Sequence, residues 1–95
     1  MLYTLLQSPW QCDIDSLLLL LQEGDDVLLL QDGVTAALEG SQMFIKLSAS
    51  PASLWVLDAD VVARGLVGQI STKVPTLDYT GFVALTIKHQ QQVAW

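Results

Sequence analysis

The chain has 95 residues, of which 52% are hydrophobic and 15% are charged, and its net charge is −6. Four Lys and Arg residues on so acidic a chain cannot form the basic patch that nucleic acids or anionic membranes require, so we expect direct binding to neither. About 25% of the residues in a typical domain are charged. The low charged share therefore favours a surface partly covered by a partner over a Leu-rich core in a monomer.

The longest apolar run covers residues 17–21, far short of the roughly twenty residues of a membrane span. No basic residue precedes the first apolar stretch, so we expect no signal peptide and a cytoplasmic protein. The single cysteine allows no internal disulfide and no Cys-rich metal site. We therefore expect neither a metal nor another cofactor.

Residues 1–6 are apolar and tolerant of extended backbone, and they predict a first β-strand. A helix is expected next, ending at the pair Glu23-Gly24. Because the leucines of residues 17–21 would surround this helix, we expect it to be covered on most of its girth. Three residues are candidates for its N-terminal cap: Ser8, with a proline after it, Asp13 and Asp15.

Residues 26–30 contain an unbroken apolar run between charged ends, a pattern typical of a strand buried on both faces. Residues 33–39 are predicted to form a turn or a short helix. A further helix is expected over 41–47, capped by Ser41. Its apolar stripe is expected to consist of Met43, Phe44 and Leu47.

A third strand is predicted over residues 54–57, with the side chain of Trp55 in the core. A short helix should follow, capped by Asp58 or Asp60 and carrying Arg64 in its last turn, where a cation suits the helix dipole. Residues 74–78 contain a proline and therefore predict an edge or near-edge strand.

The last predicted helix is capped by Thr80 and has Lys88 and His89 near its C-terminus, which the helix dipole also favours. Residues 93–95 could add a short final strand. The alternation of strands and helices predicts one α/β domain over residues 1–95, with a mostly parallel sheet of about five strands and helices on both faces.

Cys12 carries the only thiol of the chain and is therefore a candidate nucleophile. A helix N-terminus would lower the pKa of its thiol, whereas Asp13 and Asp15 would oppose the formation of a second negative charge. We expect an incidental cysteine rather than a catalytic one. His89 is the only histidine, and helix capping is favoured over a role beside Cys12 or in a metal site.

Asp32 follows the buried strand and precedes Gly33. Since ligands gather at the carboxyl ends of parallel strands, Asp32 could act as a base or bind a ligand. Asp-Gly is also an ordinary turn pair, in which the carboxylate accepts a hydrogen bond from a following backbone N–H. The turn interpretation is favoured.

Four large apolar side chains, among them a loop tryptophan after a proline and the last residue of the chain, are candidates for contact with a partner. Packing within their own domain is the alternative for each of them. These residues are Trp10, Met43, Phe44 and Trp95.

Four segments together resemble the TusB/DsrH family of sulfur-relay proteins: "MLYTLLQSPW", "EGDDVLLLQDGVTAAL", "DADVVARGLVGQI" and "LDYTGFVALTIKHQQQVAW". The resemblance extends over essentially the whole chain and implies a DsrE-like α/β fold. It also implies a complex with TusC-like and TusD-like paralogous subunits, arranged as a dimer of heterotrimers. Such a complex takes sulfur from a TusA-like carrier and passes it through a TusE-like carrier toward 2-thiolation of the tRNA wobble uridine.

In this family the cysteine that carries the persulfide belongs to the TusD-type subunit, and no position of this chain matches it. The resemblance therefore implies a non-catalytic structural subunit, with Asp32 and Gly33 in a scaffold turn. Two alternatives stay open. Cys12 could itself carry a persulfide, or the edge at Asp32 could bind a small molecule.

Overall fold

Five strands form a single sheet in the order β4-β3-β2-β1-β5, and every neighbouring pair is parallel. The computed structural model describes all residues from Met1 to Trp95. The strands are β1 (Leu2–Leu5), β2 (Asp26–Leu29), β3 (Ser53–Leu57), β4 (Thr76–Leu77) and β5 (Gln92–Ala94). The central strand β2 is buried along its whole length, as its unbroken apolar run predicts.

Helices connect the strands: α1 (Ile14–Leu20), a 3-10 helix (Gln31–Ala37), α2 (Gln42–Ser48), α3 (Asp58–Ala63) and α4 (Tyr79–Lys88). The predicted fold class is confirmed, since the sheet has five strands and helices pack on both of its faces. No helix has both the length and the apolar character needed to cross a membrane.

The two faces of the sheet are covered unequally. On one face, side chains from α1, α2, α3 and the 3-10 helix join the sheet in a core of 15 buried residues. On the other face, α4 is the one helix that contributes to a cluster of five buried residues, through Leu85. The α4 side is therefore the thinner layer of the fold.

The end of α1 and the start of α4 differ from the sequence prediction. α1 ends at Leu20, because the chain turns toward β2 earlier than the Glu23-Gly24 pair suggests. Gly24 lies in that later turn with φ +93°. α4 is capped by Asp78, whose carboxylate accepts the N–H of Gly81, and not by Thr80.

The predicted cap of α3 is also wrong: Leu57 precedes the helix, and Asp58 and Asp60 lie in its first turn without capping it, because the Asp60 carboxylate accepts the N–H of Gln31 instead.

The caps of α1 and α2 agree with the prediction. Asp13, one of three candidates, caps α1 by accepting the N–H of Ser16. Ser41 caps α2 and accepts the N–H of Phe44. Short polar side chains directly before an apolar periodic segment therefore identify the caps of α1 and α2, but not those of α3 and α4.

Candidate functional site

The carboxyl edge of the sheet is the place where parallel α/β folds commonly bind ligands. Two residues after the end of β2, Gln31 adopts φ +52° and donates its backbone N–H to Asp60 Oδ2 at 2.7 Å. The next residue, Asp32, accepts a 3.0 Å hydrogen bond from Arg64 Nε at its Oδ1. The polar groups that follow β2 are therefore engaged with α3 and its C-terminus.

The Asp32 carboxylate does not accept the hydrogen bond from a following backbone N–H that the turn interpretation predicts. The partner of the carboxylate is Arg64, while the Asp32 carbonyl accepts a hydrogen bond from Thr35 Oγ1 at 2.8 Å. The reason is that the chain enters a 3-10 helix here, which turns the carboxylate outward, with the side chain 66% exposed. Asp32 lines none of the surface clefts.

Gly33 is placed against the backbone of β1. A Cβ at this position would lie 1.9 Å from the carbonyl oxygen of Leu5, so no larger residue fits without movement of the backbone. The same carbonyl accepts the N–H of Leu30 at 3.1 Å. The 3-10 helix therefore packs directly on the end of β1, which is consistent with a structural turn at this edge.

Cys12 lies just before α1 and is partly buried. Burial, and secondly the negative charge of Asp13, raise the pKa of its thiol. The Sγ atom contacts the Ser8 carbonyl oxygen at 3.5 Å, and no basic side chain is bonded to it. At neutral pH the thiol is therefore protonated, which makes it a poor nucleophile.

His89 has a different partner and does not pair with Cys12. It follows α4 as its C-terminal cap residue, and its backbone N–H donates to the Leu85 carbonyl. The ring, however, is buried, and its Nε2 lies 2.6 Å from Asp26 Oδ2. The predicted position near the helix end is correct, but the side chain serves a buried polar cluster that the sequence did not reveal.

That cluster is built around Asp26, the first residue of β2, whose side chain is only 2% exposed. Its Oδ1 accepts the indole N–H of Trp55 at 2.8 Å. Its Oδ2 accepts a hydrogen bond from Lys88 Nζ at 2.8 Å, in addition to the contact with His89. We call these four residues the Asp26 cluster.

Burial alone would raise the pKa of Asp26, but hydrogen bonds from His89, Lys88 and Trp55 outweigh it and hold the pKa below its usual value. The carboxylate is thus ionised and its lone pairs are used by three donors. These contacts fasten the C-terminal end of α4 to β2 and β3 at the amino edge of the sheet. The geometry is that of a structural clamp.

The neighbouring Asp25 binds the N-terminal ammonium group of Met1 at 2.9 Å. Burial opposes ionisation of Asp25, but the hydrogen bond from the N-terminus and that from the backbone of Gln22 lower its pKa overall. No set of three His, Cys, Asp or Glu side chains is arranged to hold a metal ion. The amino edge of the sheet is therefore a network of internal ion pairs.

The residues predicted to meet a partner fall into different environments. Trp10 is 66% exposed, whereas Met43 is partly buried and packs against the larger core. Phe44 is 5% exposed and belongs to that core, because its side of α2 faces the sheet, so it does not lie on the surface of the isolated chain. Trp95 is partly buried, and its indole N–H donates to the Asp13 carbonyl at 2.9 Å.

Other apolar side chains are more exposed than the predicted set. On α1, Leu19 is 87% exposed, so the chain itself does not provide the cover expected around this helix. On α4, three residues at four-residue spacing are exposed: Tyr79, Val83 and Ile87. That spacing is visible in the sequence and could have indicated a second apolar face of the last helix.

Comparisons of the sequence and of the fold with known proteins point to the same family. The profile of the family described as DsrH like protein matches residues 7–92. Proteins named Protein TusB from Cronobacter sakazakii and from Yersinia pestis are each 57% identical to this chain over 95 residues, covering 100% of both sequences.

The solution NMR structure of Protein Tm0979 from Thermotoga maritima superposes with a TM-score of 0.65 at 25% identity, covering 96% of this chain and 97% of that one. The fold and the sequence agree over nearly the full length. The chain belongs to the DsrH-like protein family, as the resemblance of its four segments predicts.

Proposed function

We propose that this protein is a non-catalytic structural subunit of a cytoplasmic sulfur-relay complex that serves 2-thiolation of the tRNA wobble uridine. Its partners would be TusC-like and TusD-like paralogous subunits in a dimer of heterotrimers. The observation that carries the proposal is the full-length, 57% identity to proteins named Protein TusB.

The chemistry of the chain supports a structural role. Transfer of sulfane sulfur needs a thiolate that attacks the outer sulfur of a persulfide, and the raised pKa of Cys12 disfavours that thiolate. At each edge of the sheet, the polar side chains are engaged in hydrogen bonds and ion pairs with other residues of the same edge. In the proposed complex the persulfide forms on the TusD-like subunit, between a TusA-like donor and a TusE-like acceptor.

The proposal is tested in cells that lack this chain but keep the two paralogues. We expect 2-thiouridine in tRNA, measured by mass spectrometry, to disappear and the paralogues to lose their normal assembly. Reintroducing the wild-type chain should restore both. Normal assembly and normal thiolation without the chain would contradict the structural role.

A second candidate function is that Cys12 itself carries a persulfide, which its partial exposure allows. In that step the Cys12 thiolate would bond to the outer sulfur of a persulfide donor, whose S–S bond breaks as the donor leaves as a thiol. Intact-mass measurement after incubation with such a donor would show a mass gain of one sulfur atom.

The variant Cys12→Ser separates the two functions. We expect it to assemble with the paralogues and to support full tRNA thiolation. A stable one-sulfur adduct that disappears in Cys12→Ser, together with loss of thiolation in an intact complex, would favour the persulfide carrier instead.

A further inference from the structure

The outer side of β3 is only partly paired. β4 is two residues long and pairs with Val56 and Leu57 alone, although β3 begins at Ser53. The N–H of Val56 donates to the carbonyl of Pro75 at 3.1 Å. In a parallel ladder the N–H of that same residue would donate to the carbonyl of Leu54, but a proline has no N–H. The proline therefore ends the ladder and leaves the start of β3 as an open edge.

Leu54 is the residue of β3 that this open edge leaves without a partner. The neighbouring Ser53 bonds toward β2, since its N–H donates to the Asp25 carbonyl at 3.0 Å. Because successive residues of a strand bond to opposite sides, the N–H and C=O of Leu54 point away from β2. No hydrogen bond joins either group to the loop before β4. An unpaired N–H and C=O on a strand edge can pair with the backbone of another chain.

A cleft of about 490 Å³ lies beside this edge, between α2, β3 and the loop before β4. We call it the β3 cleft. Four of the residues that line it are apolar and bulky: Phe44, Trp55, Val74 and Pro75. Its volume is in the range of ligand-binding clefts, roughly 300–1,000 Å³. β5 is also an edge strand, but its residues line no cleft.

The charged residue that lines the β3 cleft is Lys73. The other three basic side chains, Lys46, Arg64 and Lys88, form ion pairs, whereas Lys73 forms none. No acidic residue lines the cleft. Residues 40–57 and 61–77, which supply all of its walls, contain no Asp or Glu, although the chain has ten of them. The lone cation therefore makes a carboxylate the complementary ligand group.

We propose that the β3 cleft binds a short extended peptide that carries a carboxylate side chain. The peptide adds one short strand beside Leu54, with a peptide C=O accepting the Leu54 N–H and a peptide N–H donating to the Leu54 C=O. Its carboxylate pairs with Lys73 Nζ, and its apolar side chains pack against Trp55 and Pro75. A small carboxylic acid would use the lysine alone and leave the two backbone groups unpaired, so the observations favour a peptide.

The strength of binding follows from the few groups involved. Two backbone hydrogen bonds and one exposed ion pair are each modest in water, so we expect weak, rapidly reversible binding. The backbone bonds select an extended conformation, while the cation selects acidic sequences over neutral ones. This inference does not rest on the proposed function, because the isolated chain contains the whole cleft.

Titration of the full chain with the capped pentapeptide acetyl-Thr-Val-Glu-Val-Thr-amide, followed by amide NMR, tests the charge pairing. We expect saturable shifts at Leu54 and Lys73. The dissociation constant should rise by up to about fivefold in Lys73→Gln, or when glutamine replaces the peptide glutamate. Both changes together should have no larger effect, because they remove the same ion pair. Lys46→Gln is the matched control, since that lysine is also exposed but lies outside the cleft, and it should bind like wild type.

Amide hydrogen exchange tests the backbone pairing without any substitution in the chain. In the free protein the Leu54 amide should exchange faster than those of Ser53 and Val56, which donate to carbonyl oxygens. Saturating peptide should slow the exchange at Leu54 and leave that of Leu28, on the central strand, unchanged. A peptide of the same sequence with every amide N-methylated has no donor for the Leu54 C=O and should bind at least about tenfold more weakly.

Three results would overturn the proposal. The first is the absence of saturable binding at millimolar peptide. The second is binding that leaves the exchange of the Leu54 amide unchanged, or equal affinity for the N-methylated peptide, either of which excludes strand pairing. The third is equally strong binding of N-acetylglutamate amide, which would make the β3 cleft a site for small carboxylates and not for peptides. None of these results bears on the structural role proposed above.

Discussion

Asp26 and His89 are 63 residues apart in sequence, yet Nε2 of the histidine lies 2.6 Å from Oδ2 of the aspartate. The contact joins the first residue of β2 to the residue after α4. Both side chains are buried, at 2% and 7% exposure. The last helix is thereby fixed to the centre of the sheet by a polar bond as well as by Leu85.

We expect Asp26→Asn to destabilise the fold. The amide keeps one acceptor oxygen but introduces an NH₂ group toward the donors of His89 and Lys88, and it removes the charge that the lysine neutralises. Loss of one partner from such a buried network should cost about 2–4 kcal/mol. Urea denaturation followed by circular dichroism measures this. Unchanged stability would show that the Asp26 cluster is not a clamp.

The pH dependence of stability gives a second test of the same carboxylate. Its pKa is lower in the folded chain than in the unfolded one, so its contribution is fully present above the unfolded value of about 3.9. That contribution is lost as the pH falls through the lower, folded pKa. Between pH 6 and the acid transition, wild type should therefore lose more stability than Asp26→Asn, and parallel curves would contradict the assignment.

Gly33→Ala should be among the most damaging single changes in the chain. Its Cβ would lie 1.9 Å from the Leu5 carbonyl oxygen, which is backbone and cannot rotate away, and overpacking of this kind costs about 3 kcal/mol or more. Gly68→Ala is the matched control, since a Cβ there meets nothing within 4 Å. Thermal melting of both variants decides the point, because equal melting temperatures would exclude the close approach.

Asp60 should matter more for stability than Asp32. Asp60 Oδ2 holds the N–H of Gln31 at 2.7 Å, at a residue whose positive φ is unfavourable without glycine. We expect Asp60→Ala to cost about 1–2 kcal/mol and Asp60→Asn, which keeps an acceptor, to cost less.

The control for that prediction is Asp32→Ala. This residue makes one exposed ion pair with Arg64, and such pairs are worth at most about 1 kcal/mol. Chemical denaturation of the three variants gives the order. If Asp32→Ala were the most destabilised, or abolished tRNA thiolation in an assembled complex, the scaffold interpretation of this edge would fail.

Much of the fold could be predicted because its signals are local. The unbroken run at Val27–Leu30 marks a buried strand, and Asp13 and Ser41 are caps placed directly before apolar periods. Helix ends are harder to predict from local signals: Gly24 suggests a C-terminal cap, but α1 ends at Leu20 and the glycine lies in a later turn.

The Asp26 cluster could not be predicted, because its members come together only through the topology of the sheet. Asp26 looks like the polar end of a strand, Trp55 like a core residue, and His89 like a helix-terminal cation. Nothing in their spacing shows that parallel pairing of β2 with β3 places the indole beside the carboxylate. The burial of Phe44 is hidden for a related reason, since periodicity finds the apolar stripe of α2 but not the side that it faces.

Trp95 tests whether a terminal aromatic residue belongs to its own domain or to a partner. Its backbone N–H donates to the Thr4 carbonyl at 2.8 Å, its indole N–H donates to the Asp13 carbonyl, and its ring meets Tyr3 edge-on with centroids 6.5 Å apart. The residue therefore ties β5 and the start of α1 to β1. Trp95→Phe keeps an aromatic ring but loses the indole N–H and the five-membered ring that carries it, so it should cost about 1–2 kcal/mol in the isolated chain.

Trp95→Ala also loses the ring contact and should cost about 2–3 kcal/mol. Trp10→Ala is the control, because that side chain is 66% exposed and its indole makes no hydrogen bond within the chain; its cost should stay below about 0.5 kcal/mol. Circular dichroism is the appropriate probe, since these changes alter tryptophan fluorescence directly. If Trp95→Phe left the isolated chain as stable as wild type but weakened its assembly with the paralogues, Trp95 would be a partner contact, and the bond to Asp13 would be of little consequence.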